Sequence, residues 1–298
     1  MSADQTGGPV TIVPTGPLDI EIEAPPSKSL TIRAMAAAAL AEGRSALRQP
    51  LFSDDTYLMA RALGAVGVEV ARRGSSVVVE GCAGRLPASS ASLELGNAGT
   101  PLRLMTAICC LGRGRFLLDG SARMRERPLS HLIDALESLG VRIRSVPGNG
   151  CPPVEIEADG FPGGRVQLAG SVSSQYLSAL LMTAPCGAAD LEVEVTGALV
   201  SRPYVDLTIA VMAAFGVQVD RDEYRSFHVG AGQPYSARVY PVEGDASSAS
   251  YFFAAAAIAG GRVRVSGIPA DSKQGDLRFV ELLAAMGCRV RREAGVVE

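Results

Sequence analysis

The chain has 298 residues, 47% of them hydrophobic and 20% charged, enough to bury a sizeable core in one large or two medium domains. A formal net charge of -3 argues against a general binder of nucleic acid or anionic membranes, so any anion must be held locally. The opening M-S-A-D-Q-T-G-G lacks the basic and apolar regions of a signal peptide, and no apolar run approaches the roughly 20 residues that span a bilayer, which predicts a soluble cytoplasmic protein.

In chain order, P-S-K-S-L-T-I-R from Pro26 predicts a helix start. Lys28 is conspicuous there, because 28 basic residues include only two lysines, Lys28 and Lys273. Ser29 and Arg33 are four residues apart and share a helical face, so an ammonium, a hydroxyl and a guanidinium could grip a phosphate or carboxylate. A plain capped helix with a solvated lysine is the alternative, and the spacing excludes a Walker A loop. Next, S-S-V-V-V-E-G predicts a strand, and L-G-N-A-G-T-P-L-R offers Gly96 and Gly99 for close backbone approach beside Asn97, Thr100 and Arg103. R-F-L-L-D-G is a further strand, and G-S-A-R-M-R-E-R-P brings Arg123, Arg125 and Arg127, suited to bidentate anion contacts. S-V-S-S-Q-Y supplies Ser173, Ser174 and Gln175 as neutral donors, followed by the strand D-L-E-V-E-V-T-G. G-D-A-S-S from Gly244 opens another helix, G-R-V-R-V-S-G reads as a strand, and S-K-Q-G-D-L-R-F places Asp276 after a glycine as a candidate base or an N-cap.

These pieces recur with a beat. Helical patterns end at Gly67, Gly140, Gly216 and Gly287, each followed by a short alternating strand, at spacings of 73, 76 and 71 residues. The polar helix starts at Pro26, Gly96, Ser171 and Gly244 keep steps of 70, 75 and 73. One supersecondary unit is therefore used four times, as blocks of alternating helices and strands in an α/β chain. Four polar helix starts at equal spacing could converge on one anion cleft, since free N–H groups and the helix dipole favour anions. The six cysteines lack C-x-x-C spacing and are expected as buried free thiols; His131 and His228 have no clustered ligand spacing, so no metal site is expected.

The motifs P-S-K-S-x-x-x-R, L-G-N-A-G-T-x-x-R, R-M-x-E-R-P, S-V-S-S-Q-Y-L-x-A-L-L-M-T-A-P, S-R-P-Y-V-D, E-G-D-A-S-S-A-S-Y-F and Q-G-D-L-R-F stand in the order found in the 3-phosphoshikimate 1-carboxyvinyltransferase (EPSP synthase) family. The chain resembles that family from about residue 18 onward. The resemblance implies an inside-out α/β barrel of the enolpyruvyl transferase type, with two domains of three units each and the active site between them. It implies one complete domain over residues 27–243 and a partial second domain from residues 1–26 and 244–298, with the last two units absent. The implied activity transfers the enolpyruvyl group of phosphoenolpyruvate to the 5-hydroxyl of shikimate 3-phosphate, in the shikimate pathway to chorismate and the aromatic amino acids, without metal or organic cofactor.

By the same resemblance, Lys28, Ser29, Arg33, Ser173, Ser174, Gln175, Ser201, Tyr204 and Asp276 bind shikimate 3-phosphate. Lys28, Asn97, Gly99, Thr100, Arg123 and Gln175 bind phosphoenolpyruvate, and Asp276 and Lys28 are catalytic. Pro26, Pro101 and Leu104 depart from the family pattern, the last two beside the loop that meets phosphoenolpyruvate and its analogue glyphosate. The absent units would supply a catalytic glutamate, arginines and a lysine, so the chain alone is expected to bind shikimate 3-phosphate weakly and turn over little. The expected partners are the two small substrates, with no nucleic acid and no membrane; the full-length form is expected as a monomer, and a shorter form is expected to expose apolar surface and associate. Two alternatives differ in class: the enolpyruvyl transferase acting on UDP-N-acetylglucosamine, disfavoured because the loop G-S-A-R-M-R-E-R-P has no cysteine, and a non-catalytic anion-binding fragment.

Overall fold

The computed structural model describes residues 16–298. Its elements fall into blocks that follow the sequence repeat. The first contains β1 (Leu18–Glu23), α1 (Lys28–Leu40), β2 (Glu42–Arg48), α2 (Asp54–Ala65), β3 (Glu69–Arg73) and β4 (Ser76–Cys82). The second contains β5 (Ser90–Glu94), α3 (Gly99–Cys109), β6 (Arg113–Asp119), α4 (Ser130–Ser138), β7 (Arg142–Ser145) and β8 (Val154–Asp159). The third contains β9 (Gly164–Ala169), α5 (Ser174–Thr183), β10 (Leu191–Thr196), α6 (Arg202–Ala214), β11 (Asp220–Asp222) and β12 (Ser226–Val229). The last contains β13 (Val239–Pro241), α7 (Ala246–Ala259), β14 (Gly261–Ser266), α8 (Phe279–Ala285), β15 (Arg292–Glu293) and β16 (Val296–Val297).

Each block makes one four-stranded sheet. In the second, β5 runs parallel to β6 across α3, and β8 and β7 add antiparallel, giving the order β5-β6-β8-β7. The third repeats this as β9-β10-β12-β11. In the first and last blocks the leading strands are exchanged. β13 pairs with β2, with Val239 opposite Ala46, while β1 pairs with β14, with Leu18 opposite Gly261. The chain therefore crosses twice between two bodies, and the crossings lie side by side. Pro26 bridges Gly244, the Ser27 N–H donates to the Glu243 carbonyl at 2.8 Å, and the Asp245 N–H donates to the Pro25 carbonyl at 2.7 Å.

The cores separate at the same place. One hydrophobic core runs from Leu30 to Val242, and a second joins Ala24 to Ala246, Phe253, Val263, Val265, Val280, Leu283 and Val297. In the first body α1, α3 and α5 are buried on nearly every side, which explains their Ala-, Leu- and Met-rich sequences without a polar face. Their C-terminal ends share the walls of two neighbouring cavities, through Leu40, Leu111 and Cys186. The sheets lie outside them, with alternating burial such as that of β8, where Val154, Ile156 and Ala158 face inward.

Gly67, Gly140, Gly216 and Gly287 have φ of 90°, 91°, 92° and 101°, the left-handed exit after each outer helix that a side chain would strain. The strands predicted to follow at once differ in two cases. After Gly216 and Gly287, Val217–Val219 and Cys288–Val290 are irregular, and β11 and β15 begin later. Around Gln218 the Gln233 side chain replaces a partner strand, accepting the Gln218 N–H at 2.8 Å and donating to its carbonyl at 3.1 Å. The cysteines are free, but only Cys109, Cys110 and Cys151 are buried; Cys82, Cys186 and Cys288 are partly exposed. Among the described residues no helix is long and apolar enough to cross a membrane.

Candidate active site

The polar helix starts become four N-termini, but they are capped in different ways. Ser27 accepts the Leu30 N–H at 3.5 Å ahead of α1, Ser173 accepts the Gln175 N–H at 3.2 Å ahead of α5, and Asp245 accepts the Ser248 N–H at 2.7 Å ahead of α7. α3 has no side-chain cap. Its N-cap is Ala98, and the preceding Asn97 turns its side-chain oxygen toward Arg127 at 3.4 Å. The free N–H groups of α3 thus stay available beside Gly99 and Thr100. Pro101 lies in the first turn, where its missing N–H costs nothing.

Between the two bodies lies a cleft of about 270 Å³ walled by Ser27, Ser29, Ser201, Tyr204, Asp245, Ser247, Gln274, Asp276 and Arg278. Four predicted residues, Ser29, Ser201, Tyr204 and Asp276, meet here from α1, the start of α6 and the loop before α8. Asp276 accepts a short hydrogen bond from the Ser247 hydroxyl of α7. Ser201 holds φ at 54°, a left-handed conformation that costs a residue with a β-carbon roughly 1–3 kcal/mol and aims α6 at the cleft. The wall is not basic in itself, since Asp245 and Asp276 face Arg278. Helix N–H groups and hydroxyls supply its uncharged donors.

Arg33 is held mostly by the protein. It is 1% exposed, and three of its donors serve the protein: Nε to the Thr208 hydroxyl at 2.8 Å, Nη1 to the Ser29 carbonyl at 3.1 Å and Nη2 to the Tyr204 carbonyl at 3.3 Å. Thr208 also contacts the Ser178 hydroxyl at 2.8 Å, so one buried network ties α1, α5 and α6. Burial lowers the Arg33 guanidinium to about 10, with the nearby Tyr204 opposing that shift. Spacing placed Arg33 on the face of Ser29 correctly but could not show α6 closing over it. Lys28, by contrast, is 53% exposed and lies with Nζ 3.2 Å from Asp55 Oδ2 on α2.

A second cluster surrounds the start of α3. Arg103 donates to the Gly99 carbonyl at 3.0 Å and to the Pro128 carbonyl at 3.3 Å, while Arg127 donates to the Asn97 carbonyl at 3.1 Å. Burial depresses the Arg103 pKa, with Tyr176 opposing and Arg127 adding to it. A β-carbon on Gly99 would stand 2.5 Å from Arg127 Nη2 and 2.9 Å from Arg103 Nη1. The Tyr176 hydroxyl donates to the same Pro128 carbonyl at 2.7 Å, which ties the α5 start with Ser173, Ser174 and Gln175 to the α3 start. Ser174 is buried, and Ser173 and Gln175 are half-buried. Arg123 stands apart, exposed and paired with Glu126 at 2.6 Å.

Sequence reasoning named neither Gln274 nor Ser247, and it left Arg278 unassigned. Both Gln274 and Ser247 lie inside quoted motifs, Q-G-D-L-R-F and G-D-A-S-S, but nothing local distinguishes them from turn and cap residues.

Fold and cleft together define an inside-out α/β protein with its candidate site at the seam of two bodies. Two solved structures of EPSP synthase from Acinetobacter baumannii share the fold at TM-scores of 0.81 and 0.78 and 23% identity, with 95% of this chain covered and 64% and 65% of theirs. The model of the family described as EPSP synthase (3-phosphoshikimate 1-carboxyvinyltransferase) matches residues 12–298, and the chain belongs to that family. Proteins named 3-phosphoshikimate 1-carboxyvinyltransferase are similar to it at 46% identity in Marinomonas sp. (strain MWYL1) and Sulfurovum sp. (strain NBC37-1) and 47% in Serratia proteamaculans (strain 568). Each alignment covers 94% of this chain and 67%, 67% and 66% of the relative, so the chain spans about two thirds of their length.

Proposed function

We propose that the chain serves the transfer of the enolpyruvyl group of phosphoenolpyruvate to the 5-hydroxyl of shikimate 3-phosphate, giving 5-enolpyruvylshikimate 3-phosphate and phosphate, as a cytoplasmic reaction without metal or organic cofactor. The observation that supports it is the meeting of Ser29, Ser201, Tyr204 and Asp276 on one cleft between the two bodies. In this reading residues 27–243 are one domain, and residues 1–26 with 244–298 belong to the other.

The chemistry needs a proton on the methylene carbon of phosphoenolpyruvate while the acceptor hydroxyl adds to the neighbouring carbon. The hydroxyl proton leaves as the new C–O bond forms, and Asp276, exposed in the cleft, is the carboxylate assigned to receive it. The tetrahedral ketal then loses phosphate and a methyl proton, restoring the double bond. Both substrates are anions, so Lys28, Arg278 and the uncapped α3 start would screen charge that grows as phosphate departs. Ser29, Ser173, Ser174, Gln175, Ser201 and Tyr204 orient the acceptor, and Arg33 acts from behind by fixing Ser29 and Tyr204. Asn97, Gly99, Thr100 and Arg123 are assigned to phosphoenolpyruvate.

Calorimetry on this chain with shikimate 3-phosphate tests the reading, with UDP-N-acetylglucosamine as the competing acceptor and phosphate release as the activity readout. Binding of shikimate 3-phosphate, weakened at least tenfold in Ser201→Ala with Ser29→Ala, is expected. Binding of the nucleotide sugar alone would overturn it.

A further inference from the structure

Asp276 sits in a short helical turn, residues 275–278, between a loop and α8. Its position is set by a neighbour that points the other way. Gln274 is 6% exposed, and its side-chain amide pairs with the backbone of the second crossing: Oε1 accepts the Ala246 N–H at 3.0 Å, and Nε2 donates to the Gly244 carbonyl at 2.7 Å. A carbonyl and the N–H two residues on face the same side of an extended chain, so the amide docks as a neighbouring strand would. The Glu243 carboxylate completes the hold, accepting from Gln274 Nε2 at 3.2 Å and from the Ser272 hydroxyl at 2.6 Å.

We infer that Gln274 is a positioning residue: its amide pins the Asp276 loop to the inter-body crossing at Glu243–Ala246, and so sets where the carboxylate stands in the cleft. The pinned segment is the one that the Ser27 N–H and the Pro25 carbonyl hold from the first crossing. One hydrogen-bonded strip therefore runs from the α1 cap through the second crossing to Asp276. Ser247, one residue past Ala246, then reaches Asp276 directly. Gly275 packs its backbone closely on the start of α6, where a β-carbon would stand 2.4 Å from Pro203. The structural part of this inference stands alone; its consequence for acceptor binding rests on the function proposed above.

The test uses the whole chain with Gln274→Met and Gln274→Glu. Met keeps the length and removes every hydrogen bond of the side chain. By hydrogen exchange at pH 7.5, peptides covering 244–248 and 270–278 are expected to exchange at least tenfold faster in Gln274→Met, while α1, α3 and α5 keep their protection. Unchanged exchange in those peptides overturns the pin. In Gln274→Glu the ionised side chain would face the Glu243 carboxylate and the Gly244 carbonyl, with Asp245, Asp276 and Arg278 along the same wall. That variant is expected to be loose at pH 8 and held again at pH 5.5, where a protonated carboxyl supplies both a donor and an acceptor, after correction for intrinsic exchange. Equal protection at both pH values overturns the pin even if the Met variant unfolds the second body. For the consequence, the shikimate 3-phosphate Kd should rise about tenfold in Gln274→Met, and Asp276→Asn should add nothing further in the double variant. Full additivity would mean that Gln274 does not act through Asp276. If the wild-type chain binds no shikimate 3-phosphate, the acceptor reading fails while the exchange data still decide the pin.

Discussion

Lys28 and Arg33 stand on one helix, less than two turns apart, and the structure divides their work. The Arg33 guanidinium is buried with three protein acceptors, so Arg33→Ala removes three hydrogen bonds and leaves a cavity between α1 and α6, and should lower the urea unfolding free energy by about 3 kcal/mol. Lys28 is half exposed in a single ion pair, so Lys28→Met should cost under about 1 kcal/mol in the same titration yet weaken shikimate 3-phosphate binding at least tenfold. The opposite ranking would reverse the roles. Under the proposed function, lysine suits that place as a compact cation that swings from Asp55 to the substrate, which a planar guanidinium would do less readily. Ser201 shows strain of another kind. Because its φ is 54°, Ser201→Gly should stabilise the chain by about 1 kcal/mol while the lost hydroxyl weakens acceptor binding, a trade readable by melting and calorimetry together.

Among the elements, α1 and α7 show how helices of similar composition diverge in burial. α1 is surrounded, and β4 crosses its C-terminal end so closely that a β-carbon on Gly81 would stand 2.1 Å from the Ala41 carbonyl oxygen and 2.6 Å from that of Ala38. These are backbone atoms that cannot rotate away. Gly81→Ala should therefore cost about 3 kcal/mol by chemical denaturation, at the upper end for overpacking, although its φ is ordinary. α7 has a similarly apolar sequence, A-S-S-A-S-Y-F-F-A-A-A-A-I-A, but buries only Ala246, Ala249 and Phe253. Helix type and start were legible in both from the polar cluster and the apolar run. What surrounds each helix was not, because a helix apolar on all sides carries no face to say where its neighbours lie.

At the scale of the whole molecule, two cores joined by two adjacent crossings predict two cooperative units. Residues 24–245 contain every strand and helix of the first body, including β13, and should fold alone with a single melting transition. Residues 244–298 lack β1, the strand that pairs along all of β14, and should not. Circular dichroism melts of the two pieces would check this, and a folded 244–298 piece would refute it. The second body also exposes Tyr251 at 77%, Ile258 at 87% and Met286 at 80% on α7 and at the end of α8. Such a face favours association, so Ile258→Lys with Met286→Glu should lower the sedimentation-measured self-association of this chain.

The repeat, the four polar helix starts and the left-handed glycines were written locally, as composition and period, and the sequence alone determined them. The ordered motifs likewise carried the family and named four residues of the cleft wall, Ser29, Ser201, Tyr204 and Asp276. Three things waited for the tertiary structure. The exchange of β13 for β1 joins residues near opposite ends of the chain, and strand pairing of that kind leaves no local pattern. Arg33 became a buried strut because α6, 171 to 175 residues away, supplies Tyr204 and Thr208. Gln274 looked like a turn residue until the crossing at Gly244–Ala246 was seen to end on its amide. Periodicity records what a residue's own element needs; which distant backbone its side chain satisfies is decided only when the chain closes on itself.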